Sequence, residues 1–133
     1  MFWRLLFESK LTDERLTTEV DYKILSYGYG LTDVVKRPTR STTELRRIDG
    51  AGTKKRLEKL IIKHKPKIVA FIGKTGFRYY TSDPYSRLEY GKQTLQIGDS
   101  NVYLMPSTSG ASFADTKYAQ KLFWYKKLQR VVA

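Results

Sequence analysis

The sequence predicts an α/β domain of three layers: a short, mainly parallel sheet held between helices. Three observations predict it. Ile68-Val69-Ala70-Phe71-Ile72 is an unbroken apolar run of strand length, the mark of a strand buried on both faces in a parallel sheet. Val102-Tyr103-Leu104-Met105 is a second apolar run, closed by Pro106, which has no N–H to give to a ladder. Segments of helical period with basic outer faces stand before the first run and after the second, and strands alternating with helices read as α/β.

Taken in order, Phe2–Ser9 reads as a helix, with Phe2, Trp3, Leu5 and Leu6 apolar and Arg4 and Glu8 on the other side. Thr12, followed by Asp13 and Glu14, offers an N-cap for a short second helix. Asp21–Ser26 is a further helical or turn segment, broken by Tyr27-Gly28-Tyr29-Gly30. Leu31–Val35 reads as a strand, ended by Lys36-Arg37-Pro38-Thr39. Arg40–Glu44 is a polar loop, and Gly50-Ala51-Gly52 is a breaker. Thr53 then caps a helix through Lys63, with Leu57, Leu60 and Ile61 on one side and Lys54, Lys55, Arg56, Lys59 and Lys63 on the others. Pro66 stops it.

After the Ile68–Ile72 strand, Gly73-Lys74-Thr75-Gly76 leads into a short helix over Phe77–Tyr80. Ser82–Tyr90 is a loop. Thr94–Ile97 and Asn101–Met105 are strands joined around Gly98-Asp99-Ser100, a hairpin signature. A last helix runs from about Ala114 to Val132. Tyr118, Leu122, Tyr125, Leu128 and Val132 form its inward stripe, leaving Lys117, Lys121, Lys126, Lys127 and Arg130 outside.

Composition narrows the function. The chain of 133 residues has the size of one domain with one core. Its net charge is +12, with lysine and arginine outnumbering acids nearly two to one. That balance favours an anionic partner, and an aromatic content of 14% favours a polynucleotide over a lipid surface. No apolar run approaches the length of a membrane span. No basic leader with a cleavage site opens the chain, so the expected compartment is cytoplasmic, at the nucleoid. There is no cysteine and one histidine, which rules out thiolate metal sites and a histidine cluster within the chain. No cofactor is expected.

In open α/β sheets ligands sit beyond the carboxyl ends of the strands. Three loops qualify: Lys36–Thr39, Gly73–Gly76 and Pro106–Ser112. A triphosphate loop needs a glycine five residues before Gly73, and that position is Ile68. What remains there is Lys74 at a helix start, able to attract one anion; a plain strand-to-helix turn fits as well. Pro106–Ser112 gathers the hydroxyls of Ser107, Thr108, Ser109 and Ser112 around Gly110, a composition suited either to a phosphate or to an ordinary turn. His64 reads as a helix-end cation and Asp33 as a strand-end carboxylate. Tyr27, Tyr29, Tyr79, Tyr80, Tyr85 and Tyr90 include candidates for stacking on bases.

Several stretches taken together resemble a known family. Phe2-Trp3 with its helix, Tyr29–Thr39, Gly50–Leu60, Ile68–Lys74, Gly91-Lys92-Gln93 and Val102–Ser112 follow the order of the mismatch-specific uracil-DNA and thymine-DNA glycosylases, a branch of the uracil-DNA glycosylase superfamily. The most specific parts are Gly-Leu-Thr-Asp-Val-Val-Lys-Arg-Pro-Thr and Met-Pro-Ser-Thr-Ser-Gly-Ala-Ser. The resemblance implies hydrolysis of the N-glycosidic bond of uracil or thymine opposite guanine, with the base flipped out of the duplex. The partner it implies is double-stranded DNA with a G·U or G·T mismatch. It places Ser107, Thr108 and Ser109 near the flipped nucleotide and its phosphates, Gly110 close to the strand, and Ser112 on a further phosphate. Ala111 stands where relatives carry a larger wedging side chain. The family's first motif, an Asn-Pro-Gly-like loop at the end of a central first strand that carries the Asn or Asp positioning the attacking water, has no counterpart in these residues. The expectation is therefore an N-terminally truncated polypeptide with weak or no activity, its sheet closed differently or completed by a partner strand or self-association.

Overall fold

The computed structural model describes residues 1–32, 52–108 and 117–132. The chain divides into two compact units, Met1–Thr32 with Thr108–Ala133, and Asp33–Ser107.

In the second unit, helix α2 spans Thr53–His64, strand β1 Ile68–Ile72, helix α3 Lys74–Thr81, strand β2 Gly91–Ile97 and strand β3 Ser100–Met105. The strands form one mixed sheet in the order β1-β3-β2. β1 runs parallel to β3, with Ile68 opposite Asn101 and Ile72 opposite Met105. β2 and β3 form the expected antiparallel hairpin, with an irregularity between Lys92 and Gln96. Gly98, at φ +58°, turns the hairpin. The sheet is flanked by helices, and the α/β class read from the sequence stands. α2 and α3 pack together on one face through Leu57, Ile61, Phe77 and Tyr80, against Phe71, Ile97, Val102 and Leu104.

Differences from the sequence reading have local causes. Gly52, left-handed at φ +79°, occupies the N-cap of α2, and Thr53 is its first helical residue. A glycine reaches that conformation without strain, so no hydroxyl cap is needed. α2 ends where Lys65 turns left-handed at φ +49°, one residue before Pro66. α3 begins earlier than expected, at Lys74. β1 is not buried on both faces: only Phe71 is fully buried, and Ile72 is 39% exposed. Among the described residues β1 is an edge strand. The loop after α3 is organised by Asp83, whose carboxylate accepts the N–H groups of Tyr85 and Ser86, both at 3.1 Å. Ser86 and then Tyr85 hold that carboxyl below its ordinary range.

Tyr80 is buried, and its hydroxyl donates to Glu58 across α2 and α3 at 3.1 Å. Burial, then the Glu58 hydrogen bond, push its pKa up to about 12. The fold favours neutral Tyr80, so this stabilisation is complete below the unfolded tyrosine pKa of about 10 and is lost as pH rises toward 12. The urea midpoint is therefore expected to fall between pH 10 and 12, and less steeply in Tyr80→Phe. At pH 7 the same variant should lose about 0.5–1.5 kcal/mol. Identical alkaline profiles for the two proteins would refute this role.

In the first unit, helix α1 spans Phe2–Glu8 and packs against helix α4, Tyr118–Val132. Leu5 and Leu6 are buried, as read from the sequence. The Arg4 guanidinium pairs with Glu8 at 2.6 Å and lies 4.2 Å over the ring of Tyr118. The segment at Thr12 is a turn rather than a helix. Thr12 is buried, and its hydroxyl donates to the Glu14 carbonyl at 2.8 Å, the local bonding by which threonine competes with helix. Thr18–Tyr27 forms a 3-10 helix kinked at Val20 and closed by Gly28 at φ +82°. Leu31 and Thr32 are not in a strand; the remainder of the expected Leu31–Val35 strand, the Lys36–Thr39 and Arg40–Glu44 loops and the start of the last helix lie outside the described residues. On α4, Tyr125 is buried and Val132 is exposed. Lys121, expected outside, is 1% exposed with Nζ 3.6 Å from Met1 Sδ.

Candidate nucleic-acid interface

Because β1 and β3 are parallel, their carboxyl ends meet at one edge of the sheet. The chain leaves β1 through Gly73 into α3, and leaves β3 through Pro106 and Ser107. Two of the three candidate loops are thereby brought together. Gly73 N–H donates to the Met105 carbonyl at 2.9 Å. The two backbones approach so closely that a Cβ on Gly73 would stand 3.3 Å from Ser107 Cβ and 3.6 Å from its Oγ. Gly73 has φ +99° and ψ +143°, a combination that side chains oppose. Pro106 is buried and Ser107 half-buried. One side of the junction thus presents a hydroxyl and the other opens a helix.

Lys74 is the first residue of α3 and is exposed. Its ammonium lies 5.0 Å from the centre of the Tyr90 ring. Tyr90 directly precedes β2, which pairs with β3 so that Gly91 faces Leu104. The hairpin therefore carries Tyr90 to the end of the sheet where Lys74 begins its helix. A cation over an aromatic face is attracted by the ring quadrupole, which biases this long side chain toward one position. Among the sequence candidates Tyr90 had no mark of its own, because the strand expected from Thr94 in fact begins at Gly91.

Thr108 is half-buried. Ser109, Gly110, Ala111 and Ser112 lie outside the described residues. The other tyrosines separate by what they touch. Tyr27 donates to Asp13 and Tyr29 to the Leu11 carbonyl at 2.9 Å, their rings stacked 6.4 Å apart. Tyr80 is spent on Glu58. Tyr85 is 93% exposed. His64 is the last residue of α2 and exposed. Among the described residues no three His, Asp or Glu side chains gather as a metal site.

A half-buried serine, a close glycine, a lysine at a helix start and an aromatic ring form a surface suited to an anion attached to a planar group, the two halves of a nucleotide. The family model described as the Uracil DNA glycosylase superfamily matches residues 1–129. The work of that superfamily is base excision in DNA repair by glycosylase hydrolysis. With the match running over nearly the entire sequence, this chain belongs to the uracil DNA glycosylase superfamily.

Proposed function

We propose that the protein acts on duplex DNA at G·U or G·T mismatches, as a member of the mismatch-specific uracil and thymine glycosylase branch. The observation that carries this reading is the junction of Gly73-Lys74 with Pro106-Ser107 at the carboxyl ends of parallel strands. The segments at that junction are those whose sequence, Ile68–Lys74 and Val102–Ser112, resembles the branch. In this reading Lys74 holds a phosphate beside the extruded nucleotide, with Tyr90 restraining the ammonium. Ser107 offers its hydroxyl to the same nucleotide, and the resemblance adds Thr108, Ser109, Gly110, Ala111 and Ser112 as DNA-contacting residues. A mismatched base pair costs less to open than a matched one, and that difference is one source of selectivity.

Binding tests this directly. Fluorescence anisotropy with G·U, G·T and G·C duplexes of one sequence should show tighter binding to the mismatches. Lys74→Gln should weaken binding to all three and flatten the plot of log K against log salt by about 1. Equal affinity for mismatched and matched duplexes would remove the mismatch reading.

A second reading, a DNA-binding module that recognises the lesion without excising it, is favoured by one observation. The only asparagine of the chain is Asn101. It lies on β3 with its side-chain oxygen accepting from Gln96 Nε2 at 2.9 Å, away from the junction.

A further inference from the structure

The junction accounts for little of the charge on this protein. The sixteen residues from Gly52 to Lys67 carry seven lysines and arginines against one glutamate, a net +6 of the chain's +12. They form α2 and its exit to β1. On α2 the buried residues are Leu57 and Ile61. At 100° per residue the direction opposite them is that of Lys59, flanked by Lys55 and Lys63 one turn to either side. All three are exposed. Lys54, Lys65 and Lys67 are exposed as well. None of these six lysines takes part in a described ion pair. Glu58 instead accepts from Tyr80 on the inner side.

The placement of these charges is unfavourable to the helix itself. α2 has no acid in its first turn, where Lys54, Lys55 and Arg56 stand. Cations there oppose the helix dipole. A solvated surface helix gains nothing from that arrangement, whereas a helix laid against an anion does. The chain returns from α2 to β1 through three residues only, so the carboxyl end of α2 lies at the amino end of that strand, and the helix packs against α3 and β2. The basic row therefore has its Lys63 end at the amino end of β1, away from Gly73 and Ser107 at the carboxyl end. From Lys55 to Lys63 it covers about 12 Å, the axial rise of roughly three to four phosphates of one DNA strand.

We propose that the outer face of α2 is a second DNA contact, separate from the lesion-side junction, in which Lys55, Lys59 and Lys63 follow the phosphate backbone of the duplex without reading sequence. The proposal rests on the reading of the protein as one that acts on duplex DNA. It adds the α2 lysines to Lys74 as sequence-independent phosphate contacts and leaves the mismatch preference to the rest of the junction. Three lysine–phosphate contacts correspond to a slope of about 2.7 in log K against log salt.

The experiment compares Lys55→Gln/Lys59→Gln/Lys63→Gln with wild type on undamaged G·C duplex and on G·U duplex, by anisotropy from 50 to 200 mM salt. The slope on both duplexes should fall by about 2.7, while the ratio of G·U to G·C affinity stays unchanged. A control that also removes three charges, Lys10→Gln/Lys23→Gln/Arg87→Gln, should keep the wild-type slope, as should the arginine version of the α2 triple. Circular dichroism reports whether the exposed substitutions leave the helices intact. An unchanged slope in the α2 triple, or an equal fall in the control, overturns the inference. A slope that depends on α2 in a protein with no G·U preference supports it and removes the mismatch reading instead.

Discussion

Purified protein of these 133 residues is expected to release uracil from a G·U duplex about 10²- to 10⁴-fold more slowly than a glycosylase that presents a water-positioning side chain, the contribution such a group makes to a hydrolysis. Cleavage of the glycosidic bond needs an attacking water held against the sugar on the face opposite the leaving base. Several described polar side chains have partners away from the junction. Asn101 is engaged by Gln96 within the hairpin. Asp83 organises the loop after α3 through the N–H groups of Tyr85 and Ser86. Asp99 lies in the hairpin turn before β3, at the amino end of that strand and so across the sheet from Ser107. Asp13 accepts from Tyr27. His64 ends α2, again at the amino end of β1. Among the described residues the junction is built from Ser107, Lys74 and Tyr90, a hydroxyl, a cation and a ring. These can hold a phosphate and a nucleotide, but none is a carboxylate or amide able to orient a water.

The measurement is single-turnover uracil release with enzyme in excess over a labelled G·U duplex, at a salt concentration where anisotropy shows the duplex fully bound. Saturation matters because it separates failure to bind from failure to cut. Binding with release at the uncatalysed rate favours the lesion-recognition reading. Release at a rate typical of an enzyme, on the order of 1 per second or faster, would show that these 133 residues supply a water-positioning group and would overturn the expectation.

Much of the second unit was legible in the sequence because its elements obey simple periods. The apolar run at Ile68–Ile72, the Pro66 stop, the glycine turn at Gly98 and the three- and four-residue spacing of Leu57, Leu60 and Ile61 each fix an element without help from the rest. What escaped was set by tertiary contact. Lys121 lies at 300° on α4 when Tyr118 is placed at 0° and Tyr125 at 340°, so it belongs to the inward stripe by position and was assigned outside by charge. The whole side chain is buried, with its ammonium near Met1 Sδ. Thr12 had the sequence of a cap but spends its hydroxyl on the Glu14 carbonyl. At the junction, Lys74 and Ser107 could each be named as candidates. Their proximity could not, because it depends on the parallel register of β1 and β3. Tyr90 was hidden for the same reason, since its role depends on where the hairpin delivers it.

That register makes Gly73 the position where substitution should do the most damage. Its φ of +99° with ψ of +143° is a conformation for glycine, and any other residue held there carries strain of about 1–3 kcal/mol. Release of the strain by rotation would break the bond from its N–H to the Met105 carbonyl, which joins the exits of the two parallel strands. The space is closed as well, with Ser107 Cβ 3.3 Å from where a Cβ would stand and Ser107 Cα at 3.7 Å. An alanine must push Ser107 by a few tenths of an ångström, and Pro106 before it is buried and gives little. Valine adds two methyl groups to the same gap, an overpacking that costs about 1–3 kcal/mol more. Gly73→Ala should therefore lower stability by about 1–3 kcal/mol and Gly73→Val by about 2–6 kcal/mol in urea unfolding. The damage should also differ in kind from that of Lys74→Gln. The glycine variants displace Ser107 and should reduce the preference for G·U over G·C duplex with the salt slope intact. Lys74→Gln removes one phosphate contact and should reduce the slope with stability intact. A Gly73→Val protein as stable as wild type, with its mismatch preference unaltered, would mean that the two loops do not act together. The assignment of Ser107 to the lesion side would then lose its structural support.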